Sequence, residues 1–279
     1  MSTAVITGAN SGIGLGAARA LGERGWRVVL AVRDVEKGRR AVEQVPGGAE
    51  VRELDLADLA SVRAFAEGWT EDLDVLINNA GVMAVPRGRT RDGFELQIGT
   101  NHLGHFALTN LLLPRITDRV VSVASVAHRY GSVDLGDLNF ERRRYERWRA
   151  YSQSKLANLL FISELQRRLA AAGSPLRAMA AHPGYAATNL QSHTGSFVQH
   201  AVMKVGNTLL GQSGDDGARP TVYAATEDLP GDSYVGPGGF QQLRGAPRLV
   251  GRSPAARDET IAAGLWELSE ELTGVRFPL

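Results

Sequence analysis

Residues 7–14 form the stretch Thr-Gly-Ala-Asn-Ser-Gly-Ile-Gly, which follows a short apolar run and precedes a helical pattern. The glycine spacing G-x-x-x-G-x-G at a strand-to-helix turn lets backbone amides approach a pyrophosphate group, whose charge the helix dipole favours. A flexible loop that merely opens a helix is the alternative for such a turn taken alone. The residues expected to bind a nucleotide cofactor here are Gly8, Asn10, Ser11, Gly12, Ile13 and Gly14.

Short β-branched runs alternate with helix-length segments over the first two thirds of the chain. The predicted strands are Ala4–Thr7, Arg27–Val32, Val51–Leu54, Val75–Asn78, Val120–Val123 and Leu176–His182. The predicted helices are Gly14–Arg24, Val35–Gln44, Leu59–Trp69, Phe94–Leu113 and Ser154–Ala172. Strands that alternate with helices at this spacing pair in parallel through crossover connections. We therefore expect an α/β fold, a Rossmann-like doubly wound parallel sheet with helices on both faces.

The length of 279 residues suits one domain, so residues 1–279 are predicted to form a single nucleotide-binding unit. The alternation weakens after about Gly184, where segments rich in Gly, Ser, Gln and Pro predict a substrate lobe and loops near residues 185–250. An amphipathic helix over Ile261–Leu272 is expected either to pack on the sheet or to serve assembly, which leaves a homo-oligomer open.

Composition excludes several functional classes. With 43% hydrophobic and 22% charged residues the chain is typical of a globular protein, and a net charge of +1 does not favour nucleic acid or acidic membranes. The absence of cysteine excludes disulfides, thiolate metal sites and a cysteine nucleophile. The chain runs at once into its first strand, and no apolar run approaches transmembrane length. We therefore expect a cytoplasmic enzyme with no membrane or nucleic-acid partner.

Two groups of residues resemble a metal site and a nucleic-acid-binding site. His102 and His105 can share a helix face, but no third ligand is evident, so we expect solvated or capping histidines and no metal. Five arginines between residues 142 and 149, interleaved with aromatic residues, resemble a nucleic-acid patch. Glu141 and Glu146 dilute their charge, which favours a solvated loop or helix face.

Polar residues also follow the third and fourth predicted strands. Asp55 comes just after the third strand, and the fourth strand ends in a pair of asparagines followed by Ala-Gly. Taken alone, Asp55 would be a helix cap and the asparagine pair a turn. Ligands of doubly wound sheets lie at the carboxyl ends of strands near the switch point, where the glycine turn also lies. The further candidate cofactor-binding residues are therefore Asp55, Leu56, Asn79, Ala80 and Gly81.

Tyr151 and Lys155 place a phenol and an ammonium group one above the other on a helix face. A nearby cation favours phenolate, so the tyrosine can exchange a proton at accessible pH. Tyr-x-x-x-Lys also occurs by chance in many helices. Ser125 ends the fifth strand, where its hydroxyl can meet a substrate oxygen shared with Tyr151, and Asn101 lies inside the preceding helix pattern.

In this order the motifs resemble the short-chain dehydrogenase/reductase family, and the resemblance covers roughly residues 3–188. It implies a catalytic set of Asn101, Ser125, Tyr151 and Lys155. Tyr151 would be the general acid or base, and Ser125 would polarise the carbonyl oxygen. Lys155 would hold the nicotinamide ribose and lower the pKa of the tyrosine, while Asn101 would position a water that relays protons.

The resemblance also implies contacts to the two ends of a dinucleotide. Asp55 would meet the adenine amino group and Asn79 would fix the adenosine side, whereas Pro183, Gly184 and Thr188 would contact the nicotinamide end. Within the family, residues 7–14, 33–37, 125–128 and 151–158 are most similar to the retinol-dehydrogenase-like branch and its bacterial relatives.

One departure concerns the connection between Ser125 and Tyr151, which lie 26 positions apart (151 minus 125), about twice the separation in many members. The excess, near residues 134–149, resembles the longer connection of the retinol-dehydrogenase-like branch and is predicted to border the substrate mouth.

The expected activity is reversible reduction of a ketone or aldehyde by NADPH, and the expected substrate is an apolar, medium-sized carbonyl or alcohol molecule. Predicted pocket residues are Val82, Met83, Val126, Tyr185 and Phe197. A catalytically silent NADP-binding sensor or scaffold is a second hypothesis, which the intact catalytic set disfavours. An extended-family epimerase or dehydratase is a third, but such chains typically have G-x-x-G-x-x-G and a longer C-terminal domain.

The end of the second strand bears on the choice between NADP and NAD. Enzymes that use NAD usually place an acid at this strand end to accept bonds from the ribose 2'-hydroxyl. Val32 occupies that position, and Arg33 follows with a donor fork suited to the 2'-phosphate of NADP. Asp34 could itself be the ribose acid, but we interpret it as the N-cap of the next helix. A solvated surface charge is the alternative for Arg33.

Overall fold

Eight strands form one sheet within residues 1–184 and 213–279, which are the residues that this computed structural model describes. The strands are β1 (Thr3–Thr7), β2 (Arg27–Val32), β3 (Ala49–Glu53), β4 (Leu73–Asn78), β5 (Ile116–Val123), β6 (Arg177–Ala181), β7 (Tyr234–Pro237) and β8 (Pro247–Leu249). Their order is β3-β2-β1-β4-β5-β6-β7-β8, parallel from β3 to β7, with β8 antiparallel to β7. The chain therefore reverses its direction of sheet growth between β1 and β4.

Helices cover both faces of the sheet. Those in the described residues are α1 (Gly12–Gly22), α2 (Val35–Val42), α3 (Leu59–Glu67), α4 (Leu96–Ile98), α5 (Gly104–Leu112), α6 (Arg147–Ala171), α7 (Gly214–Thr226) and α8 (Glu259–Thr273). Helices α1, α2 and α7 bury apolar side chains such as Leu21 and Val222 in one cluster. Helices α3, α5, α6 and α8 bury Phe106, Leu160 and Trp266 in another. The predicted α/β fold class is confirmed.

The central strands are buried because helices lie on both of their faces. All five residues of β1 are buried, which is the pattern that a parallel sheet imposes on its strands. Strand β2 has the predicted bounds, and the other predicted strands differ from the observed ones by one to four residues at an end.

Helix α6 begins at Arg147, seven residues before the predicted start at Ser154. The carboxylate of Glu146 caps it by accepting hydrogen bonds from the amides of Trp148 and Arg149. Tyr151 consequently lies in the second turn of this helix, in line with the residues that follow it.

The helix predicted over Phe94–Leu113 is interrupted. A π-helical turn, Gly99–Leu103, separates α4 from α5 and contains Asn101. Gly104 lies so close to the carbonyl of Leu56 that any side chain there would overlap it. Single π-turns inside helices often occur at functional sites, because they redirect one side chain without ending the helix.

The predicted substrate lobe is described only from residue 213 onward. That part, 213–250, contains α7, β7 and β8, which the sequence did not predict because the segment is rich in glycine and proline. Helix α7 packs on α1, where Gly214 lies against Gly12 and Arg19 forms an ion pair with Asp215.

The last helix, α8, extends the predicted segment by two residues at its start and one at its end. It packs against α6, a helix that covers the sheet, and buries Ala262, Leu265 and Trp266; a role in assembly stays a prediction. Among residues 1–184 and 213–279, none of the helices combines the length and hydropathy needed to span a bilayer.

Candidate active site

The glycine turn after β1 forms a cradle with little space for side chains. Gly8 and Gly12 have φ of 66° and 56°, in the left-handed region that favours glycine. A β-carbon on Gly14 would lie 2.5 Å from Asn79 Nδ2, and one on Gly8 would lie 2.9 Å from the Cα of Ala80. The turn therefore packs directly against the chain that follows β4.

The N-terminus of α1 suits an anionic group. Ser11 is its N-cap, yet the Ser11 side chain makes no capping bond, and the first turn carries no acidic residue. Asn10 is half-buried and Ile13 is buried beneath the turn. Helix N-termini with uncapped amides bind phosphate groups. The cradle therefore fits a dinucleotide pyrophosphate.

The hydroxyl of Thr7 joins the ends of β1 and β4. Thr7 Oγ1 accepts hydrogen bonds from the backbone amides of Asn79 and Ala80, each at 2.9 Å. The amide group of the Asn79 side chain donates to the carbonyl of Thr7 at 2.8 Å. These bonds hold the corner formed by Asn79, Ala80 and Gly81 against the glycine turn, at the switch point of the sheet.

Arg33 and Asp34 follow β2 and differ in their surroundings. Arg33 is exposed. Asp34 caps α2: its Oδ1 accepts from the amide of Lys37 at 3.0 Å, and its Oδ2 pairs with the Lys37 ammonium at 3.0 Å. These bonds to Lys37 hold the pKa of Asp34 below its usual value. The prediction that Asp34 caps this helix is confirmed.

Asp55 does not cap the helix that follows β3. The N-cap of α3 is Asp58, which accepts from the amide of Ala60 at 3.0 Å. Oδ1 of Asp55 instead accepts from the amide of Ala57 at 2.9 Å, in a local turn. Leu56 is buried below it. Asp55 therefore lies at the carboxyl edge of the sheet, on the same side as Arg33.

Ser125, Tyr151 and Lys155 converge beyond the end of β5. The side chain of Tyr151 lies beside that of Ser125, whose hydroxyl acts to lower the pKa of the phenol. The Lys155 ammonium lies 5.9 Å from the centre of the Tyr151 ring and donates to the carbonyl of Val123 at 2.9 Å. The structure therefore brings a hydroxyl, a phenol and an ammonium group into one buried cluster.

Burial shifts the two titratable groups of this cluster in opposite directions. It raises the pKa of Tyr151 to about 12, and the nearby hydroxyl of Ser125 acts against this rise. It lowers the pKa of Lys155 to about 8. We expected Lys155 to lower the pKa of the tyrosine, whereas the net shift of Tyr151 is upward because burial dominates it.

Asn101 lies in the π-helical turn and holds the chain after β4. Its Oδ1 accepts from the amide of Val82 at 2.8 Å, and its Nδ2 donates to the Val82 carbonyl and to Ser154 Oγ, both at 2.9 Å. A β-carbon on Gly81 would lie 3.0 Å from Asn101 Oδ1 and 3.6 Å from Lys155 Nζ. Asn101 and Lys155 thus meet at Gly81, and the water relay implied for Asn101 stays a prediction.

The residues expected at the nicotinamide end follow β6. Gly184 has φ of 74° and donates its amide to His182 Nδ1 at 3.1 Å. His182 Nε2 therefore carries the proton and donates to Gln242 Oε1 at 3.1 Å. This fixes the turn that contains Pro183. Thr188 and the predicted pocket residues Tyr185 and Phe197 lie outside the described residues.

Two residues that the sequence did not assign contact the catalytic cluster. His128, in the 3-10 turn Val126–Tyr130, donates from Nδ1 to the carbonyl of Ser125 at 2.7 Å. Trp148 places its ring edge-on to the ring of Tyr151, with centroids 6.1 Å apart, and remains 41% exposed. Trp148 belongs to the long connection, so one end of that connection lies beside the chemistry, as its position in the chain suggested.

The predicted pocket residues Val82, Met83 and Val126 are half-buried after β4 and β5. The long connection before α6 is held by buried Asp137, whose carboxylate accepts from the amides of Glu141, Arg142 and Arg143. Burial acts to raise the pKa of Asp137, but these bonds outweigh it and hold the pKa at about 2.

The expectation that His102 and His105 are solvated or capping is wrong. Their side chains are only 1% and 2% exposed, because α5 and the π-turn lie beneath α6 and α8. Burial lowers the pKa of His102 to about 3 and that of His105 to about 4, so both rings are neutral. Within the part of the chain that the structure describes, no group of three acidic or histidine side chains is arranged to hold a metal ion.

Comparisons with known proteins agree with this geometry. A family model described as short chain dehydrogenase matches residues 2–198. Human retinol dehydrogenase 13 is 41% identical over 292 residues, which cover 99% of this chain and 86% of that protein. The crystal structure of an uncharacterised protein from Mycobacterium paratuberculosis is 59% identical, with a TM-score of 0.87 and coverage of 100% of this chain and 96% of that one.

A more distant structure shares the fold. The 3-ketoacyl-(acyl-carrier-protein) reductase from Brucella melitensis, solved in complex with NADH, is 23% identical with a TM-score of 0.62. The alignment covers 84% of this chain and 95% of that one.

Proposed function

Because the chain belongs to the short-chain dehydrogenase family, we propose that it reduces an apolar ketone or aldehyde with NADPH and that Tyr151 is the general acid. Membership makes it an NAD(P)-dependent oxidoreductase that acts on alcohol and carbonyl groups. The observation that carries the finer proposal is the convergence of Ser125, Tyr151 and Lys155 at the sheet edge that also holds the glycine turn.

The order of residues along this edge supports a dinucleotide lying across it. Arg33 follows β2, the glycine turn follows β1, Asn79 follows β4, and Pro183 follows β6. From β2 to β6 there are four strand spacings, roughly 19 Å. Arg33 and Asp55 would hold the adenosine end, the glycine turn the pyrophosphate, and Lys155 with the Pro183–Gly184 turn the nicotinamide ribose. The bound cofactor supplies the hydride.

The protein's own residues supply proton transfer and orientation. With a pKa of about 12, Tyr151 is a protonated phenol at neutral pH and can donate to the oxygen of a carbonyl group. Ser125, whose hydroxyl lies beside the phenol of Tyr151, polarises the same oxygen. Lys155, with a pKa of about 8, is mostly charged at neutral pH and stabilises the phenolate that forms. His128 and Asn101 hold the segments that carry Ser125 and Gly81.

NADP rather than NAD is favoured by the partners of the residues after β2. Both carboxylate oxygens of Asp34 are already bonded to Lys37, which makes Asp34 a poorer acceptor for a ribose 2'-hydroxyl. Arg33, next to it, is exposed and offers five N–H donors to a 2'-phosphate.

An apolar substrate is favoured by the surroundings of Tyr151. Val82, Met83 and Val126 follow the strands that end at the catalytic cluster, and the indole of Trp148 lies beside the phenol. The similarity to retinol dehydrogenases makes a long apolar aldehyde, such as a retinoid, the first compound to test.

The test is NADPH oxidation with a panel of retinoid, aromatic and short aliphatic aldehydes, ketones and quinones, for the wild type and for Tyr151→Phe. Phe keeps the packing of the ring and removes only the transferable proton, so kcat should fall by about 10² to 10⁴ while cofactor affinity is retained. Tyr130→Phe is the matched control, because the Tyr130 ring is 85% exposed. A Tyr151→Phe enzyme that keeps more than about a third of wild-type kcat would overturn the assignment.

A further inference from the structure

A buried chain of hydrogen bonds links the cofactor cleft to the π-helical turn. His105, in α5, is only 2% exposed. Its Nδ1 lies 3.0 Å from the carbonyl oxygen of Asn101, and its Nε2 lies 2.9 Å from Thr7 Oγ1. Thr7 Oγ1 in turn binds the amides of Asn79 and Ala80. One imidazole therefore connects a residue of the predicted catalytic set with the corner that faces the glycine turn.

The position of every hydrogen in this chain follows from its partners. The Asn101 carbonyl is only an acceptor, so Nδ1 of His105 must carry a proton. The ring is neutral, because burial lowers the pKa of His105 to about 4. Nε2 is then a bare acceptor, and the hydroxyl of Thr7 must donate to it. Both lone pairs of Thr7 Oγ1 are left free to receive the two amides of the corner.

Without His105, the Thr7 hydroxyl has a poorer alternative. Among the described residues, the other acceptor within reach is the carbonyl of Ile77, at 3.4 Å, which is a long distance for a hydroxyl hydrogen bond. Turning toward Ile77 would also turn the lone pairs of the oxygen away from their present directions. The imidazole thus sets the rotation of the hydroxyl, and the hydroxyl sets the position of the amides of Asn79 and Ala80.

Small displacements of that corner matter because the cradle is tight. Ala80 lies against Gly8 and Asn79 against Gly14, so closely that β-carbons on these glycines would sit 2.9 Å and 2.5 Å from their neighbours. If the Asn79–Ala80 corner moved toward the glycine turn, the space for a cofactor would narrow. If it moved away, the turn would lose the side of the cleft that the corner forms.

We propose that His105 is a positioning residue for the cofactor cleft, which orients the Thr7 hydroxyl and ties the Asn79–Ala80 corner to the backbone of Asn101. The proposal rests on the proposed use of this cleft for a nicotinamide dinucleotide. It assigns a role to a buried side chain that touches neither cofactor nor substrate.

His102 provides a matched control three residues earlier. Its side chain is 1% exposed and neutral, and its Nε2 lies 2.9 Å from Ser269 Oγ in α8. Ser269 donates its own proton to the carbonyl of Leu265, so Nε2 of His102 is the donor in this pair. His102 therefore has the burial and charge of His105 but is bonded to the C-terminal helix instead of the cleft.

The first experiment measures two properties of each variant. Cofactor affinity is measured by NADPH fluorescence without substrate, and folding stability is measured by urea unfolding. His105→Phe and Thr7→Val should each weaken NADPH binding on the order of tenfold, since each removes the orientation of the corner. Thr7→Ser keeps the hydroxyl and should therefore retain the NADPH affinity of the wild type. His102→Phe should lower stability to a similar degree as His105→Phe and leave affinity within about twofold. Combining Thr7→Val with His105→Phe should weaken binding no more than Thr7→Val alone, because Thr7→Val already removes the bond to His105.

Equal affinities in His105→Phe and His102→Phe, or additive losses in the double variant, would overturn the proposal. A second measurement covers the case in which His105→Phe does not fold: the imidazole nitrogen shifts of the wild type should report an Nδ1–H ring that stays neutral to below pH 5. A ring with its proton on Nε2 would also overturn it. Failure of the proposed function appears differently, as a wild-type protein that binds neither NADPH nor NADH.

Discussion

Replacing Arg33 by Ala tests the cofactor preference at the residue expected to determine it. Arg33 is exposed after β2, beside an Asp34 whose two oxygens are bonded to Lys37. A hydrogen bond from arginine to a charged phosphate contributes about 1.5 to 3 kcal/mol. Because the site is exposed and screened, we take about 2 kcal/mol, which corresponds to roughly thirtyfold in Kd.

The assay is titration of NADPH and NADH into the wild type and variants, at fixed ionic strength. The wild type should bind NADPH more tightly than NADH by about this factor, and Arg33→Ala should lose NADPH affinity with little effect on NADH. Arg39→Ala is the matched control, because Arg39 is also an exposed arginine and pairs with Glu36 at 2.5 Å within α2. Neither affinity should change in that control.

Asp34 supplies the opposing test. As a helix cap, Asp34→Ala should cost about 1 kcal/mol of folding stability and leave the ratio of NADPH to NADH affinity unchanged. As a ribose ligand, it would instead weaken NADH binding. Equal affinities for both cofactors in the wild type, or equal losses in Arg33→Ala, would refute the assignment of Arg33 to the 2'-phosphate.

Three further predictions concern the catalytic cluster and the buried histidines. Lys155→Ala should raise the cofactor KM and lower kcat together, and unchanged values of both in steady-state kinetics would make the Tyr151–Lys155 pair coincidental. Trp148→Ala should raise KM about tenfold for long apolar carbonyls but not for short aliphatic ones, since it removes the indole beside Tyr151; an unchanged ratio of kcat/KM between the two classes would contradict this. His102 has a folded pKa of about 3 against 6.5 unfolded, so its contribution to stability is present above pH 6.5 and is lost as pH falls, by about 2 kcal/mol at pH 5. The free energy of unfolding, measured with urea at pH 8 and at pH 5, should therefore fall by about 2 kcal/mol less in His102→Phe than in the wild type. An equal fall in both proteins would contradict a neutral, buried His102.

Local sequence patterns were sufficient to predict the features that depend on the direction of the chain. Parallel strands place their carboxyl ends at one edge, so a glycine turn after β1, asparagines after β4 and Ser125 after β5 had to fall together once the alternation was recognised. Helical spacing likewise placed Tyr151 and Lys155 on one face. The cap role of Asp34 followed from the preference of aspartate for the position before a helix.

Features that depend on distant partners were not visible in the sequence. The partner of His105 is 98 residues away, and that of His102 is 167 residues away, so neither burial nor bonding could be inferred from neighbours in the chain. Strands β7 and β8 are short, and proline and glycine disfavour the strand pattern within them. Strand β7 is placed in the sheet by pairing with β6, and β8 by pairing with β7, and a propensity pattern contains neither pairing.

The opposite shifts of Tyr151 and Lys155 have one cause and bear on the direction of the reaction. Burial penalises charge on either side chain, which raises the pKa of the phenol to about 12 and lowers that of the ammonium to about 8. At pH 7 the resting pair is therefore a neutral phenol beside a mostly charged lysine. Donating the phenolic proton to a carbonyl oxygen creates a phenolate next to that charge, so the cost of the new anion is offset where it forms. Oxidation of an alcohol requires the phenolate first, against the burial that disfavours it. In the proposed reaction this resting protonation would favour reduction, and it would do so less above pH 8, where Lys155 loses its charge.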